Sequence, residues 1–377
     1  MIYLDNAATG GFKPHSVIDT TTNVIKYLSA NPGRSGHRLS LTGLDIVYNS
    51  RKIIADYFNC SLDRVIFTKN CTEALNTAIF GMIKKGDHVI TTYLEHNSVL
   101  RPLYSLQKDG YITLDIVYFD NVENAPNSIL EKINSNTSLV VTTAVSNVTG
   151  QRLPIKEIGE VLSNRGIKYV VDGAQIGGHE HVDIKENKIS ALALAGHKGL
   201  YGIMGIGLLV LADDVCVKPL IYGGTGSDSF STFQPESYPE HLESGTINLP
   251  AVASIMEGVK YCMLNEQTFS KILLSYTTKV ISDLSKHQII KIYSKPNPYG
   301  IVSFKINSID SQTLADLLSQ KYDIAVRGGL HCAPLVHKHL KTEDCGLLRV
   351  SIAVQNTTHE LNTFYRAICE IIRENNL

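Results

Sequence analysis

Lys198 and Asp172 are the two residues of this chain best suited to carbonyl chemistry. Ile167 and Tyr169–Asp172 read as a buried strand with Asp172 at its carboxyl end. Ligands collect at the carboxyl ends of strands in open α/β sheets, so an acid there can meet one. Lys198 follows in Ala-Gly-His-Lys-Gly-Leu-Tyr-Gly, where glycines let the backbone approach a bulky group. A lysine amine can hold a carbonyl cofactor as a Schiff base while a carboxylate pairs with a protonated ring nitrogen, the pattern suited to pyridoxal phosphate (PLP). Taken singly, a strand-end Asp is more often a turn cap and a Lys more often a solvated surface group.

The sharpest local motif is Arg327-Gly-Gly-Leu-His-Cys-Ala-Pro-Leu335, which sets the Cys332 thiol on a short turn between Arg327 and His331. Cationic neighbours lower a thiol pKa and favour the nucleophilic thiolate. Cys332, His337, His339 and Cys345 are also ligand types, but their spacing matches no standard zinc pattern, so no metal site is expected. Arg349, in Leu-Leu-Arg-Val-Ser, suits a substrate carboxylate or, equally, a structural ion pair.

These groups need a scaffold. Residues 1–40 are rich in turn formers and show no clear periodicity; Asn31–His37 is a loop that either lies on the surface or faces a substrate. Helical spacing is expected from Gly43 to Phe58, with Leu44, Val47, Ile54 and Tyr57 on the apolar face. The strand Val65–Thr68 leads to Asn70-Cys71-Thr72-Glu73 and a helix through Met82, whose N-terminus either carries an ordinary cap or binds phosphate. Strands at His88–Thr92 and Leu139–Thr143 precede His96 and Asn147, and Leu153–Arg165 reads as an amphipathic helix stopped by Gly166. His96, Asn147 and Asp172 therefore fall at strand ends facing one crevice, in a mostly parallel sheet covered by helices. Beyond Pro250 the pattern changes to a helix at Ala251–Leu264, an irregular middle, a strand at Gly300–Ile306 and a helix at His359–Glu374. The expected division is a large α/β domain at 15–250 and a small α+β domain from 1–14 and 251–377.

The chain has 377 residues, is 44% hydrophobic and carries a formal net charge of -1, values typical of a folded protein with a large core. The charge offers no footprint for nucleic acid, and the longest apolar stretch, Tyr201–Ala212, falls short of the roughly 20 residues that span a bilayer. The start lacks a basic segment followed by an apolar run, so a cytoplasmic location is expected. Seven cysteines, an odd and widely spaced set without C-x-x-C, argue against a disulfide framework. Neither a dinucleotide fingerprint nor a P-loop occurs. Gly223–Ser227 and Glu243–Thr246 read as flexible loops near a phosphate.

Taken in order, Tyr-Leu-Asp-Asn-Ala-Ala from residue 3, Asn-Pro-Gly-Arg-Ser-Gly-His from 31, Thr-Glu-Ala-Leu-Asn from 72, Glu-His-Asn-Ser from 95, Val-Asp-Gly-Ala-Gln from 171, Gly-His-Lys-Gly from 196, Gly-Thr-Ile-Asn from 245 and Arg-Gly-Gly-Leu-His-Cys-Ala from 327 resemble the cysteine desulfurases of the fold-type I, class V aminotransferase superfamily. The resemblance implies that Lys198 binds PLP, Asp172 pairs with its pyridine nitrogen, and His96 stacks on the ring and moves protons. It assigns Asn147 and Gln175 to the ring oxygen, and Thr72, Glu73 and His197 to the phosphate end of the cofactor site. Thr246 would reach that site from the other subunit of a homodimer. Arg349, with Arg327 and Asn147, would bind the substrate L-cysteine, and Cys332 would accept its sulfur as a persulfide, leaving alanine.

The short turn before Cys332 resembles the suf-type branch, in which a small acceptor protein collects the sulfur for iron–sulfur assembly, thiolation or scavenging. Two positions depart from that pattern. Ala195 stands where many relatives place a phosphate-binding hydroxyl, and Leu330 where some suf-type members carry a second histidine. A selenocysteine lyase or another class V C–S lyase or aminotransferase is the alternative that shares the cofactor residues.

Overall fold

The computed structural model describes residues 1–227 and 230–375. A seven-stranded sheet forms its centre, in the order Val65–Thr68, Gly207–Leu211, Ala191–Ala195, Lys168–Asp172, Thr137–Thr143, His88–Thr92, Thr113–Val117. All strands run parallel except Gly207–Leu211, which is antiparallel to both neighbours. Ala191–Ala195 and Gly207–Leu211 are buried at every position, as apolar strands covered on both faces must be. One face packs Leu75, Ile79, Val99 and Leu103, from the helices Cys71–Met82 and Asn97–Lys108, against the sheet. The other face buries Ile54, Phe58, Ile158 and Leu162.

A second, antiparallel sheet has Ile301–Ile306 at its centre between Ile290–Ile292 and Leu348–Ser351. Its core, with Phe304, Leu318, Phe364 and Ile368, is closed by the helices Ser311–Tyr322 and Thr358–Glu374. Thr357 and Glu360 form a reciprocal cap at the start of the last helix, satisfying two backbone N–H groups that the helix leaves free. The chain's first strand, Ile2–Tyr3, pairs with Ile324–Ala325 beside this sheet.

Three expectations are corrected. Residues 1–40 contain the helix His15–Tyr27, whose buried face is a sparse stripe of Val17, Thr21 and Val24 with a threonine in the middle, which masks its periodicity. The helix expected at Ala251–Leu264 runs from Leu249 to Leu284, 36 residues. The first two helices pack against it, and the core of the three-stranded sheet takes Leu273, Val280 and Leu284, so the partner of its buried stripe changes along its length. Leu44, placed on the apolar face of Arg38–Phe58, is instead exposed and lines a cleft. Among the described residues no helix is long and apolar enough to cross a membrane.

Candidate active site

The strand ends deliver three of the expected groups to one place. Asp172 closes Lys168–Asp172 and is 4% exposed. The neighbouring strand Thr137–Thr143 leads to Asn147, and the next, His88–Thr92, leads to His96, which caps the helix Asn97–Lys108. His96 Nδ1 accepts the Ser98 N–H at 3.0 Å, which leaves the ring proton on Nε2. Burial, together with Lys198, Arg327 and Arg101, lowers its pKa against the opposing pull of Asp172, so the ring is neutral near pH 7.

Lys198 stands in a tight turn: Tyr201 N–H returns to the Lys198 carbonyl at 3.0 Å and Gly202 N–H to that of Gly196 at 2.8 Å. Tyr201 adopts φ +57°, a left-handed conformation that a bulky residue takes only when its surroundings enforce it. Phe12, Tyr261 and Phe269 around its ring provide that enforcement. The turn also needs glycines on its neighbours, because a Cβ on Gly178 or Gly258 would overlap the carbonyl of Gly199 or Leu200. The Lys198 side chain is partly accessible by area but enclosed by protein, and this enclosure, with Arg349 and Arg327, lowers its pKa against Asp172 and Cys71. A lysine made easier to deprotonate is a better nucleophile and base.

These donors fit PLP. Asp172 receives both of its protein hydrogen bonds, from Ala174 N–H at 2.9 Å and Cys71 Sγ at 3.6 Å, on Oδ1. Among the described residues no donor reaches Oδ2, as suits an acceptor for a ring N–H. Thr72, in the first turn of Cys71–Met82, makes a 2.9 Å hydroxyl contact with Ser98, which groups two hydroxyls at a helix N-terminus. His197 Nδ1 lies 3.0 Å from Thr9 Oγ1, and burial plus Lys198 and Lys13 push its pKa down to about 4. Gln175 is buried and donates to the Ala7 carbonyl at 3.1 Å.

The remaining residues are distributed unevenly. Glu73 accepts the Lys69 N–H, completing the cap that Asn70 makes on the Glu73 N–H. Thr246 is exposed and lies with Glu73 and Thr225 on a cleft of about 570 Å³, separate from the small cavity that Lys198 lines. Gly223–Ser227 belongs to the cleft side of the molecule, with Gly226 packed on the Arg34 guanidinium.

Cys332 is brought to the His96 end of the site. Its carbonyl accepts Asn97 N–H at 2.8 Å, and the preceding His331 carbonyl accepts Asn147 Nδ2 at 2.8 Å. His331 and Cys332 both have positive φ, +50° and +57°, and the Cys332 residue is exposed. Arg327 Nη2 is 3.7 Å from the sulfur. His331 does not provide the second cation expected from its position in the sequence. It is 2% exposed, its Nε2 donates to the Leu347 carbonyl at 3.0 Å, and burial beside Arg349 holds it neutral.

Arg349 is 1% exposed. Nη2 pairs with Asp5 Oδ1 at 2.9 Å and Nη1 donates to the Asn147 carbonyl at 3.0 Å, but the buried Nε has no partner. Arg327 and Arg349 sit opposite each other on adjacent backbone segments, and the charge of Arg327 opposes that of Arg349.

Residues 2–364 match the class-V aminotransferase family. The chain belongs to that family. It is 34% identical over 389 residues to a probable cysteine desulfurase of Pyrococcus abyssi, across 99% of this chain and 94% of that one. Its identity to a probable cysteine desulfurase of Methanothermobacter thermautotrophicus is 32% over 378 residues, 98% and 94% of the two chains. The apo structure of a cysteine desulfurase from Thermococcus onnurineus NA1 superposes with a TM-score of 0.89 at 30% identity, over 99% of this chain and 95% of that one. The fold is that of the fold-type I transferases.

Sequence reasoning missed four participants. Ser98 lies inside the quoted Glu-His-Asn-Ser motif, where a cap signal was available. Cys71 adjoins Thr72 in the quoted Asn70-Cys71-Thr72-Glu73 run, but nothing in its type or spacing points to Asp172. Asp5, the partner of Arg349, and Glu95, whose pKa burial raises to about 8, lie inside the quoted Tyr-Leu-Asp-Asn and Glu-His-Asn-Ser motifs, but their partners and burial are tertiary.

Proposed function

We propose that this chain is a PLP-dependent cysteine desulfurase, converting L-cysteine to L-alanine and carrying the sulfur away on Cys332. The observation that carries the reading is the docking of the Cys332 turn on Asn97 N–H and Asn147 Nδ2, beside the Lys198–Asp172 pair. An aminotransferase has no use for a thiol held there.

Lys198 and Asp172 would hold the cofactor, with His96 against its ring, Asn147 and Gln175 at the ring oxygen, and Thr72, Glu73 and His197 toward the phosphate. Bound there, PLP supplies the electron sink that makes the substrate Cα–H acidic. Lys198 Nζ takes that proton and later returns it. The unpaired Nε–H of Arg349, supported by Arg327, binds the substrate carboxylate; an anion relieves the opposition of the two guanidinium groups. Cys332 Sγ, as thiolate, attacks the substrate sulfur; the Cβ–S bond breaks as the S–S bond forms, Cβ takes up a proton, and alanine leaves. His96, neutral and fixed with its proton on Nε2, is the group able to donate that proton.

We assign residues 1–14 and 251–377 to the small domain, which places Cys332, Arg327 and Arg349 on one body and the cofactor residues on the other. The working form is a homodimer in which Thr246 serves the partner's site. Supporting this, Thr246 is exposed on a cleft flanked by exposed Leu220, Ile221 and Tyr222, an apolar surface that water does not favour. The seven free cysteines suit a reducing cytoplasm, where a small protein with an acceptor thiol would collect the sulfur.

The test measures sulfide and alanine released from cysteine with reductant. Lys198→Ala should lose activity and the yellow colour of the bound cofactor, whereas Cys332→Ala should lose activity and keep the colour. Normal cysteine turnover by Cys332→Ala would overturn the reading.

A further inference from the structure

Cys71 opens the helix Cys71–Met82 and is buried, with its Sγ 3.6 Å from Asp172 Oδ1. A thiol donates weakly to a neutral acceptor and better to a carboxylate. Burial and the adjacent Asp172 raise the Cys71 pKa well above its ordinary value against the pull of Lys198, so the sulfur keeps its hydrogen and donates it. The same Asp172 oxygen accepts Ala174 N–H at 2.9 Å, so a side chain from one helix and a backbone amide from the strand's own exit hold one edge of the carboxylate. Unlike the exposed Cys332, Cys71 is buried.

We propose that Cys71 is a positioning residue for the cofactor's acid: its S–H fixes Asp172 through Oδ1, keeps Oδ2 free for the ring nitrogen, and tempers the negative charge that Asp172 presents to that nitrogen. This rests on the assignment of Asp172 to the ring nitrogen made above. The titratable groups that face Asp172 are Cys71, Lys198, His96 and Glu95. Cys71 is the one among them that contacts the carboxylate through a hydrogen bond, so its removal concentrates negative charge on Asp172 and favours the proton on the ring.

Two measurements test this, one of them without cofactor. In the cofactor-free protein, the infrared S–H stretch assigned to Cys71 by difference against Cys71→Ala should move to higher frequency in Asp172→Asn, because a neutral amide is the weaker acceptor. An unmoved band means there is no such bond, and the proposal fails. In the holoenzyme, the midpoint of the pH titration of the visible cofactor band should rise in Cys71→Ala and return toward wild type in Cys71→Ser, which restores a donor. With it, kcat should fall about threefold to tenfold in Cys71→Ala while KM for cysteine holds. If Cys71→Ala and Cys71→Ser shift equally, the sulfur acts only by filling space and the proposal fails. Full activity and an unchanged visible spectrum in Asp172→Asn would instead sink the assignment of Asp172 itself.

Discussion

Glu95 and Asp5 show how single residues outside the reactive set govern it. Glu95 is fully buried; Thr92 Oγ1 donates to its Oε1 at 2.6 Å, and its Oε2 has no partner. Burial raises its pKa to about 8, so the folded protein binds a proton there that the unfolded chain has released. This contribution to stability is present in full below the unfolded carboxylate range and is lost as pH rises toward about 8. Melting temperature followed from pH 5 to 9, as a practical range of about four units, should decline in wild type and stay flatter in Glu95→Gln. Asp5 neutralises an arginine that is 1% exposed. Asp5→Ala leaves that charge uncompensated and should cost about 3 kcal/mol in urea unfolding, with a raised KM for cysteine as Arg349 loosens. Lys198, Asp172 and His96 were legible in the sequence because each sits in a short motif whose glycines and strand define its setting. The Asp5–Arg349 pair was not, since its members lie 344 residues apart. Nor was the neutral state of His331, which depends on burial and on the Leu347 carbonyl.

At the level of elements, the Lys198 turn is fixed by backbone contacts that tolerate no side chain. Gly258 lies in the long helix directly against the Leu200 carbonyl. Gly258→Ala must push helix and turn apart; about 2 kcal/mol of lost stability and faster release of cofactor on dialysis are expected, from overpacking at a site with no flexible neighbour. Unchanged cofactor retention would show that the turn is held elsewhere. The large parallel sheet was legible from the Val-rich strands and their polar exits. The first helix and the far half of the long helix were not, because partners distant in sequence supply their buried faces: the first two helices pack on the start of the long helix and the small core on its end.

For the whole molecule the test is whether two subunits share a site. Under the homodimer proposal, Lys198→Ala and Thr246→Ala should each inactivate or impair the protein separately. A hybrid dimer has one doubly defective site and, if Thr246 acts across the interface, one intact site. Activity regained on mixing and reassembling the two variants therefore supports the shared site, and none regained places Thr246 within its own subunit. The pairing of Ile2–Tyr3 with Ile324–Ala325, and of Asp5 with Arg349, has a further consequence for how the protein is made. On the ribosome, the first residues of the chain wait until nearly all the rest has emerged before they find their places. Closing so long a loop is slow, and no shorter nascent chain can form the Asp5–Arg349 pair. Lys198 and Asp172 can assemble early, whereas Arg349 and Cys332 arrive last; under the proposed function this spares the growing chain premature chemistry.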